Sequence, residues 1–362
     1  IHRSPTPNAR ATPIRRRTTH NPAREPLRSS PLAAVVAAMV AYAMPTHEPV
    51  AHGRVGRVHP GGTLALVAGA FCLQFVLERL PYDIFSSASG VWPLAVLGVA
   101  VAAWFVWHDG GRHDGLIPYR HFVDARFLVG LSVYFFGYVV SAAASYMAPV
   151  FLVSGLGFAV TSSGWLLGST SLCGALMLPL YMKAMQHHPR LKHYLLLAMT
   201  VLFVFGQWMS GMSSEVTQAQ LFWPLLLFNG LFILMSQATA ATGTFRHVDE
   251  QVFSQAYQVK NAMRELAQAT GVSVATVVLQ MRSTLHYERL AEGTASISPW
   301  YASGDDPLHL HGAAGPSLEA MAQLASVMSR QATLMACSDF YAGLCVVAVV
   351  AAALVIWQRK FV

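Results

Sequence analysis

The sequence contains few charged residues. Asp, Glu, Lys and Arg make up 11% of its 362 residues, whereas 54% are hydrophobic. Soluble globular chains contain about a quarter charged residues. A soluble domain with so little charge could not cover its own surface, so the composition excludes an ordinary soluble fold. It indicates that hydrocarbon surrounds most of the chain.

Cysteine and enzyme motifs are also scarce. The four cysteines, Cys72, Cys173, Cys337 and Cys345, lie in or beside apolar runs, and none belongs to a CxxC pair. This pattern favours packing residues over disulfides or a metal site. The sequence has no phosphate-binding loop, dinucleotide fingerprint, HExxH or GxSxG motif. We therefore expect no catalytic residue, no metal or other cofactor, no nucleic-acid partner and no enzymatic activity.

Apolar segments are, by contrast, abundant. A spanning helix needs about 20 mostly apolar residues, and the long run 127–182 divides at Gly155 and Gly157, which permit positive φ. The predicted spans lie near 31–44, 60–77, 84–107, 127–153, 160–182, 194–214, 220–245, 260–281 and 336–357. The predicted fold class is therefore all-α, a polytopic transmembrane helix bundle with about nine spans.

Two segments differ from this transmembrane domain, which covers 31–362. Residues 1–30 contain seven Arg and five Pro but no apolar period, so we predict that they are disordered. Residues 283–335 are predicted to form an external loop. Its turn-rich part is followed by a helical pattern leading into the last span.

The basic residues indicate an orientation. Apart from residues 1–30, one set of alternating loops and the tail contains 13 Lys and Arg, and the other set contains 4. The positive-inside rule places the richer set in the cytoplasm. We therefore predict an integral protein of a bacterial inner membrane with a cytoplasmic C-terminus.

Polar residues inside or beside the spans are the candidate site residues, because they are costly in lipid and commonly face a cavity or another helix. The candidates for proton coupling are Glu265, Arg264, Asp339 and Glu78. The candidates for a substrate cavity are Asn229, Gln237, Gln268, Tyr134 and Tyr138. Contacts between helices, local ion pairs and ordinary aromatic packing remain open alternatives.

Five segments give the sequence a resemblance to a known family. They are, in order, "PLAAVVAAMVAYAMPTHEP", "QFVLERLPYDIF", "GLIPYRHFVDARFLVG", "AMRELAQATGVSVATVVL" and "SRQATLMACSDFYAG". This succession resembles the fourteen-span drug:proton antiporters of the major facilitator superfamily, the EmrB/QacA type. The resemblance implies that the nine runs correspond to spans six to fourteen, the C-terminal part of a partial major facilitator fold.

The resemblance also implies a function. Such a protein is a secondary transporter that exports drugs or other small amphipathic molecules in exchange for protons. Its partners are the bilayer, the substrate, protons and in some cases a periplasmic adaptor protein. Because the first five spans would be absent, an inactive truncated remnant is one alternative. A membrane-embedded redox or enzyme subunit is another.

Overall fold

The computed structural model describes residues 60–83, 91–110, 124–188, 190–246, 248, 250–302 and 318–358, and these residues form helices without any strand. The helices are α1 Pro60–Asp83, α2 Val91–Gly110, α3 Ala125–Gly155, α4 Val160–His187, α5 Leu191–Ser210, α6 Gln218–Phe245, α7 Glu250–Ala302 and α8 Leu318–Trp357. The predicted all-α fold class is confirmed.

Seven of these helices are long and apolar enough to cross a membrane. They contain the segments Leu64–Tyr82, Val91–His108, Ala125–Gly155, Val160–His187, Leu191–Ser210, Gln218–Phe245 and Ala322–Trp357. The predicted span 31–44 lies outside the described residues. The predicted span 260–281 is helical within α7, which is not among the seven. The uncharged stretch of α7 covers only 266–281 and is therefore short. It is also only weakly apolar, because it includes Gln268 and Gln280.

Local sequence signals explain where several helices begin and end. The Asp124 carboxylate accepts a hydrogen bond of 2.7 Å from the backbone N–H of Ala125 and caps α3. Thr217 and Gln220 form a reciprocal capping box at the start of α6. The chain turns after α3 at Gly157, whose φ of 73° suits glycine.

Two spans contain a π-helical turn just after a proline. The turn Phe151–Gly155 follows Pro149 in α3, and the turn Leu227–Phe232 follows Pro224 in α6. Proline has no N–H and cannot complete the regular ladder of hydrogen bonds. A wider turn after the proline pairs the remaining backbone groups within the helix, which a bilayer requires.

The main hydrophobic core joins α3, α5, α6 and α8. At its centre, the rings of Phe151, Phe205 and Tyr341 meet edge to face, and Phe228 stacks on Phe205 with centroids 4.7 Å apart. All four side chains are buried. Large rings in offset and edge-to-face contact fix the spacing of the four helices.

The helix α7 runs beside α1, α3 and α8. At Gly271 its backbone meets α3 so closely that an added Cβ would lie 2.3 Å from the carbonyl oxygen of Val139. A residue without a side chain is therefore required at this crossing. Because α3 and α8 are apolar spans, α7 lies within the bundle although its own composition is more polar.

Two hydrophobic clusters lie at one end of the bundle, which we call the basic end. The first cluster, Tyr181, Met185, Leu191 and Leu195, joins the end of α4 and the start of α5 to the start of α3 and the end of α8. The second cluster, Phe127, Leu131 and Ala256, joins the start of α3 to the start of α7. The basic end contains Arg126, Lys183, Arg190, Lys192, Arg246, Lys260 and Arg264.

The other end of the bundle, which we call the opposite end, brings together the end of α3, the end of α5 and the first half of α8. Arg330 of α8 donates hydrogen bonds to the carbonyl oxygens of Gly155 and Leu156, the former at 3.1 Å. Ser338 donates to the carbonyl oxygen of Ser210 at 2.6 Å. These bonds provide partners for carbonyl groups that helix ends leave unpaired.

The segment 283–335, predicted as an external loop, is helical on both sides of its centre. The helix α7 continues to Ala302, and α8 already begins at Leu318. The sequence 282–292 is rich in residues with good helix propensity, and its side chains contact α8. Residues 303–317 of this segment lie outside the described residues.

Candidate functional site

At the basic end, the ammonium group of Lys260 lies among aromatic rings of α3, α6 and α7. Its Nζ atom is 4.1 Å from the ring centroid of Tyr257, 5.4 Å from that of Tyr134 and 5.7 Å from that of Phe245. Lys260 is only 9% exposed. A cation–π contact stabilises by about 0.5–1 kcal/mol at exposed sites and about 2 kcal/mol when desolvated. The rings therefore offset part of the cost of burying this charge.

The ion pairs within the described part of the chain do not include Lys260. Its side chain projects from α7 one turn after Tyr257, so both residues lie on the same face of the helix. Tyr134, buried in α3, faces them across the crossing. The result is a buried cation with aromatic walls and, among these residues, no carboxylate neighbour.

Tyr134 and Tyr138, both predicted to line a cavity, lie one turn apart on α3. Their ring centroids are 4.6 Å apart. Arg264 of α7 is near enough to interact electrostatically with both phenols. The two tyrosines thus form the α3 side of a polar interface between α3 and α7. Lys260 and Arg264 belong to the α7 side of this interface.

Arg264 and Glu265 form an ion pair with a distance of 2.6 Å between Nη2 and Oε1. Their side chains are 41% and 64% exposed. An exposed pair of this kind contributes about 0–1 kcal/mol to stability. The geometry places the Glu265 carboxylate beside its own neighbour rather than between helices, and its role in coupling stays a prediction.

At the opposite end, Asp339 of α8 connects to α7 through two basic side chains. The Asp339 Oδ2 atom lies 2.8 Å from His286 Nε2 and 3.7 Å from Arg282 Nη1. A carboxylate can only accept, so the imidazole carries a proton on Nε2 and donates it in the hydrogen bond. The His286 side chain is 17% exposed and that of Asp339 is 38% exposed, which leaves the carboxylate accessible to protons.

These two charged clusters lie far apart on α7. Arg264 and Arg282 are separated by 18 residues, which corresponds to about 27 Å at 1.5 Å per residue. The hydrocarbon core of a bilayer is about 30 Å thick. One helix therefore positions a charged cluster near each end of the bundle and has only uncharged residues between them.

Two of the predicted cavity amides form bonds between helices. Asn229 donates to the Thr170 hydroxyl at 3.0 Å and joins α6 to α4. Gln237 donates to the Ser141 hydroxyl at 3.0 Å and joins α6 to α3. Such bonds hold helices together, the alternative that the sequence left open. Gln268 is exposed on α7.

The predicted coupling residue Glu78 lies on an exposed face of α1. Its carboxylate accepts a hydrogen bond of 3.2 Å from Gln74, one turn earlier. Phe75, Glu78, Arg79 and Tyr82 line an open groove of about 500 Å³ on this helix. Arg79 lies over the Phe75 ring, 5.8 Å from its centroid. The described residues that line this groove all belong to α1.

Sequence reasoning did not identify Lys260, Arg282 and His286 as site residues. Lys260 is the first residue of the predicted span 260–281. Arg282 directly follows that span, and His286 lies in the predicted external loop. A signal was present for Arg282 and His286, which are four residues apart and therefore share one face of a helix. Recognising it required knowing that the helix continues past Met281.

The apolar helices, their aromatic core and the polar residues between them define a polytopic integral membrane protein with an all-α bundle. No family model matches the chain. The chain is similar to the fatty acid resistance protein FarB of Neisseria gonorrhoeae, with 24% identity over 275 residues, which cover 74% of this chain and 52% of the relative.

The chain is also similar to the putative multidrug resistance protein MdtD of two other bacteria. The identity with the Cronobacter sakazakii protein is 26% over 226 residues, 60% of this chain and 46% of the relative. The identity with the Klebsiella pneumoniae protein is 24% over 244 residues, which cover 65% of this chain and 50% of the relative. The chain thus spans about half the length of the curated relatives it matches. The names of these relatives denote resistance and no enzymatic activity, in agreement with the expectation of a non-enzyme.

Proposed function

We propose that this chain is the membrane part of a secondary transporter that exports drugs or other small amphipathic molecules in exchange for protons. The similarity to proteins named for fatty acid and multidrug resistance supports export of amphipathic compounds. The observation that carries proton coupling is the Asp339 carboxylate in contact with His286 between two helices of the bundle. The major facilitator superfamily, in its fourteen-span antiporter form, is the family that we propose.

The proposed mechanism uses α7 as a helix with a charged contact at each end. Ionised Asp339 attracts His286 and Arg282, and this attraction holds α7 against α8 at the opposite end. Protonation of Asp339 removes the negative charge and weakens the contact. A proton can thereby change the relative stability of two arrangements of the bundle, which is what coupling requires.

The other candidates take secondary places in this proposal. Among the described residues, Glu265 and Glu78 are exposed carboxylates without a partner on another helix, so Asp339 is the preferred coupling acid. Tyr134 and Tyr138 line the interface with α7, which makes them the preferred cavity residues. Asn229 and Gln237 serve mainly to join helices.

The proposed setting is a bacterial inner membrane with the basic end in the cytoplasm. The structure supports this orientation, because the basic ends of α4, α5 and α7 lie on one side of the bundle. In this orientation α7 is a further spanning helix, the C-terminus is cytoplasmic, and a periplasmic adaptor protein would approach from the opposite end.

The experiment that tests the proposal is transport by the chain in proteoliposomes with an imposed pH gradient. We expect gradient-driven movement of a fluorescent amphipathic probe, and at least a tenfold slower rate for Asp339→Asn. Glu288→Gln is the matched control, because Glu288 is an exposed carboxylate on α7, and we expect it to retain the rate. Absence of gradient-driven transport contradicts the proposed function, and an unchanged rate in Asp339→Asn contradicts the role of Asp339.

A further inference from the structure

We propose that Lys260 and the rings around it bind the singly charged anionic head group of an amphiphile. This inference rests on the proposed function, since it specifies the class of molecule that the transporter recognises. The site consists of the Lys260 ammonium group and the rings of Tyr134, Phe245 and Tyr257, and it lies between α3, α6 and α7 at the basic end.

The chemistry of the ammonium group calls for an oxygen ligand. An ammonium group has three N–H donors, and a buried charge is costly unless it is paired and hydrogen-bonded. The rings face the cation but provide no oxygen acceptor through their π surfaces. The salt bridges formed by the described residues leave Lys260 out. An anionic oxygen from a ligand would satisfy the charge and the donors together.

The surroundings favour an amphiphile with one negative charge. Arg264, one turn further along α7, is already paired with Glu265 at 2.6 Å. Among the described residues, Lys260 is therefore the cation of this interface without a carboxylate partner, and its charge matches a single negative charge. Tyr134 and Phe245 also provide large hydrophobic rings beside the ammonium group, against which an alkyl or aromatic tail next to the head group would pack.

Two kinds of molecule share this chemistry. A free long-chain carboxylate carries one negative charge on a hydrocarbon tail, and so does a phospholipid with a phosphodiester such as phosphatidylglycerol. The bundle lies in a bilayer, so either could reach the site from the membrane. The test must therefore separate a carboxylate that binds as a solute from a lipid head group that occupies the site permanently.

The test measures binding to the whole chain in nanodiscs of zwitterionic lipid, without any gradient. The probes are a fluorescent long-chain carboxylic acid and its methyl ester, which have the same tail and of which only the acid carries a negative charge. We expect the wild-type protein to bind the acid at least tenfold more tightly than the ester. Lys260→Met should remove this preference, and Lys260→Arg should retain it. Lys183→Met, which changes an exposed lysine of the basic end, should behave as the wild type.

Each outcome supports or overturns the proposal. Equal binding of acid and ester by the wild-type protein overturns it, and this comparison does not depend on whether any variant folds. Retention of the preference in Lys260→Met also overturns it. If phosphatidylglycerol added to the discs weakens binding of the acid in the wild type, the lipid competes for the same site. Because binding is measured without transport, a failure of the proposed function would leave this result intact.

Discussion

Replacing Gly271 by alanine should separate α7 from α3. An added Cβ would lie 2.3 Å from the carbonyl oxygen of Val139, 3.0 Å from the Cβ of Ala142 and 3.1 Å from the backbone nitrogen of Ala143. Ordinary contact of a Cβ begins at 3.4 Å, so the nearest pair must separate by about 1 Å. Two of the three obstructing atoms belong to the backbone, so no side chain can rotate away.

The cost follows from the general behaviour of overpacked interiors. Inserting a methyl group into a closely packed site destabilises by about 1–3 kcal/mol. Alanine favours a helix over glycine by about 1 kcal/mol, which offsets part of this cost in α7. With about 2–4 °C of Tm per kcal/mol, we expect Gly271→Ala to lower the Tm by several degrees in a thermal unfolding assay of the purified protein in detergent.

The matched control is Gly343→Ala in α8. A Cβ at this position meets no atom within 4 Å, so only the gain in helix propensity remains and the Tm should stay the same or rise. The close approach of α3 and α7 would be refuted if Gly271→Ala had the same Tm as Gly343→Ala. The same comparison measures how strongly the two helices depend on their contact.

Three further predictions concern single bonds and topology. Thr170→Val removes the hydroxyl that accepts a hydrogen bond from Asn229 and should lower the free energy of unfolding by about 0.6 kcal/mol. The control Thr200→Val, on an exposed face, should have a smaller effect. Equal Tm values for the two variants would contradict the role of the bond. Arg330→Ala leaves the carbonyl groups at the end of α3 without their donor and should lower the free energy of unfolding by about 1.5 kcal/mol. The Tm should fall, and Arg330→Lys should restore it in part. An unchanged Tm in Arg330→Ala refutes this. Alkaline phosphatase fused within 303–317 should be active outside the cytoplasm and the same enzyme fused to the C-terminus inactive; the reverse result contradicts the proposed orientation.

Most of the helical fold could be predicted from the sequence. The span 160–182 lies within α4, and the span 194–214 matches α5 except for its last four residues, because runs of apolar residues without charge form helices wherever hydrocarbon surrounds them. The turn between α3 and α4 was also visible, although only Gly157 adopts a positive φ and Gly155 belongs to a π-helical turn. The extension of α7 to Ala302 was not predicted, because a charged, amphipathic sequence such as 282–292 is equally typical of a helix and of a polar loop.

The candidate site was less predictable than the fold. Listing intramembrane amides identified Asn229 and Gln237, but the list could not say that their partners are hydroxyls of other helices. Asp339 was identified from its position at the edge of a span, whereas its contact with His286 joins residues 53 positions apart. Lys260 was visible as a charge, but its burial depends on rings from three helices.

The sequence by itself determined that this protein is a helical membrane protein and where its basic residues concentrate. The reason is that the free energy of transferring a segment into hydrocarbon depends mainly on the composition of that segment. Only the tertiary structure decided which polar groups are paired and which are not. That outcome depends on distances between helices, such as the 2.8 Å from His286 to Asp339 and the aromatic surroundings of Lys260. Hydrogen bonds form only when donor and acceptor are within about 3.2 Å, so the packing of helices, and not the order of residues, decides which of them form.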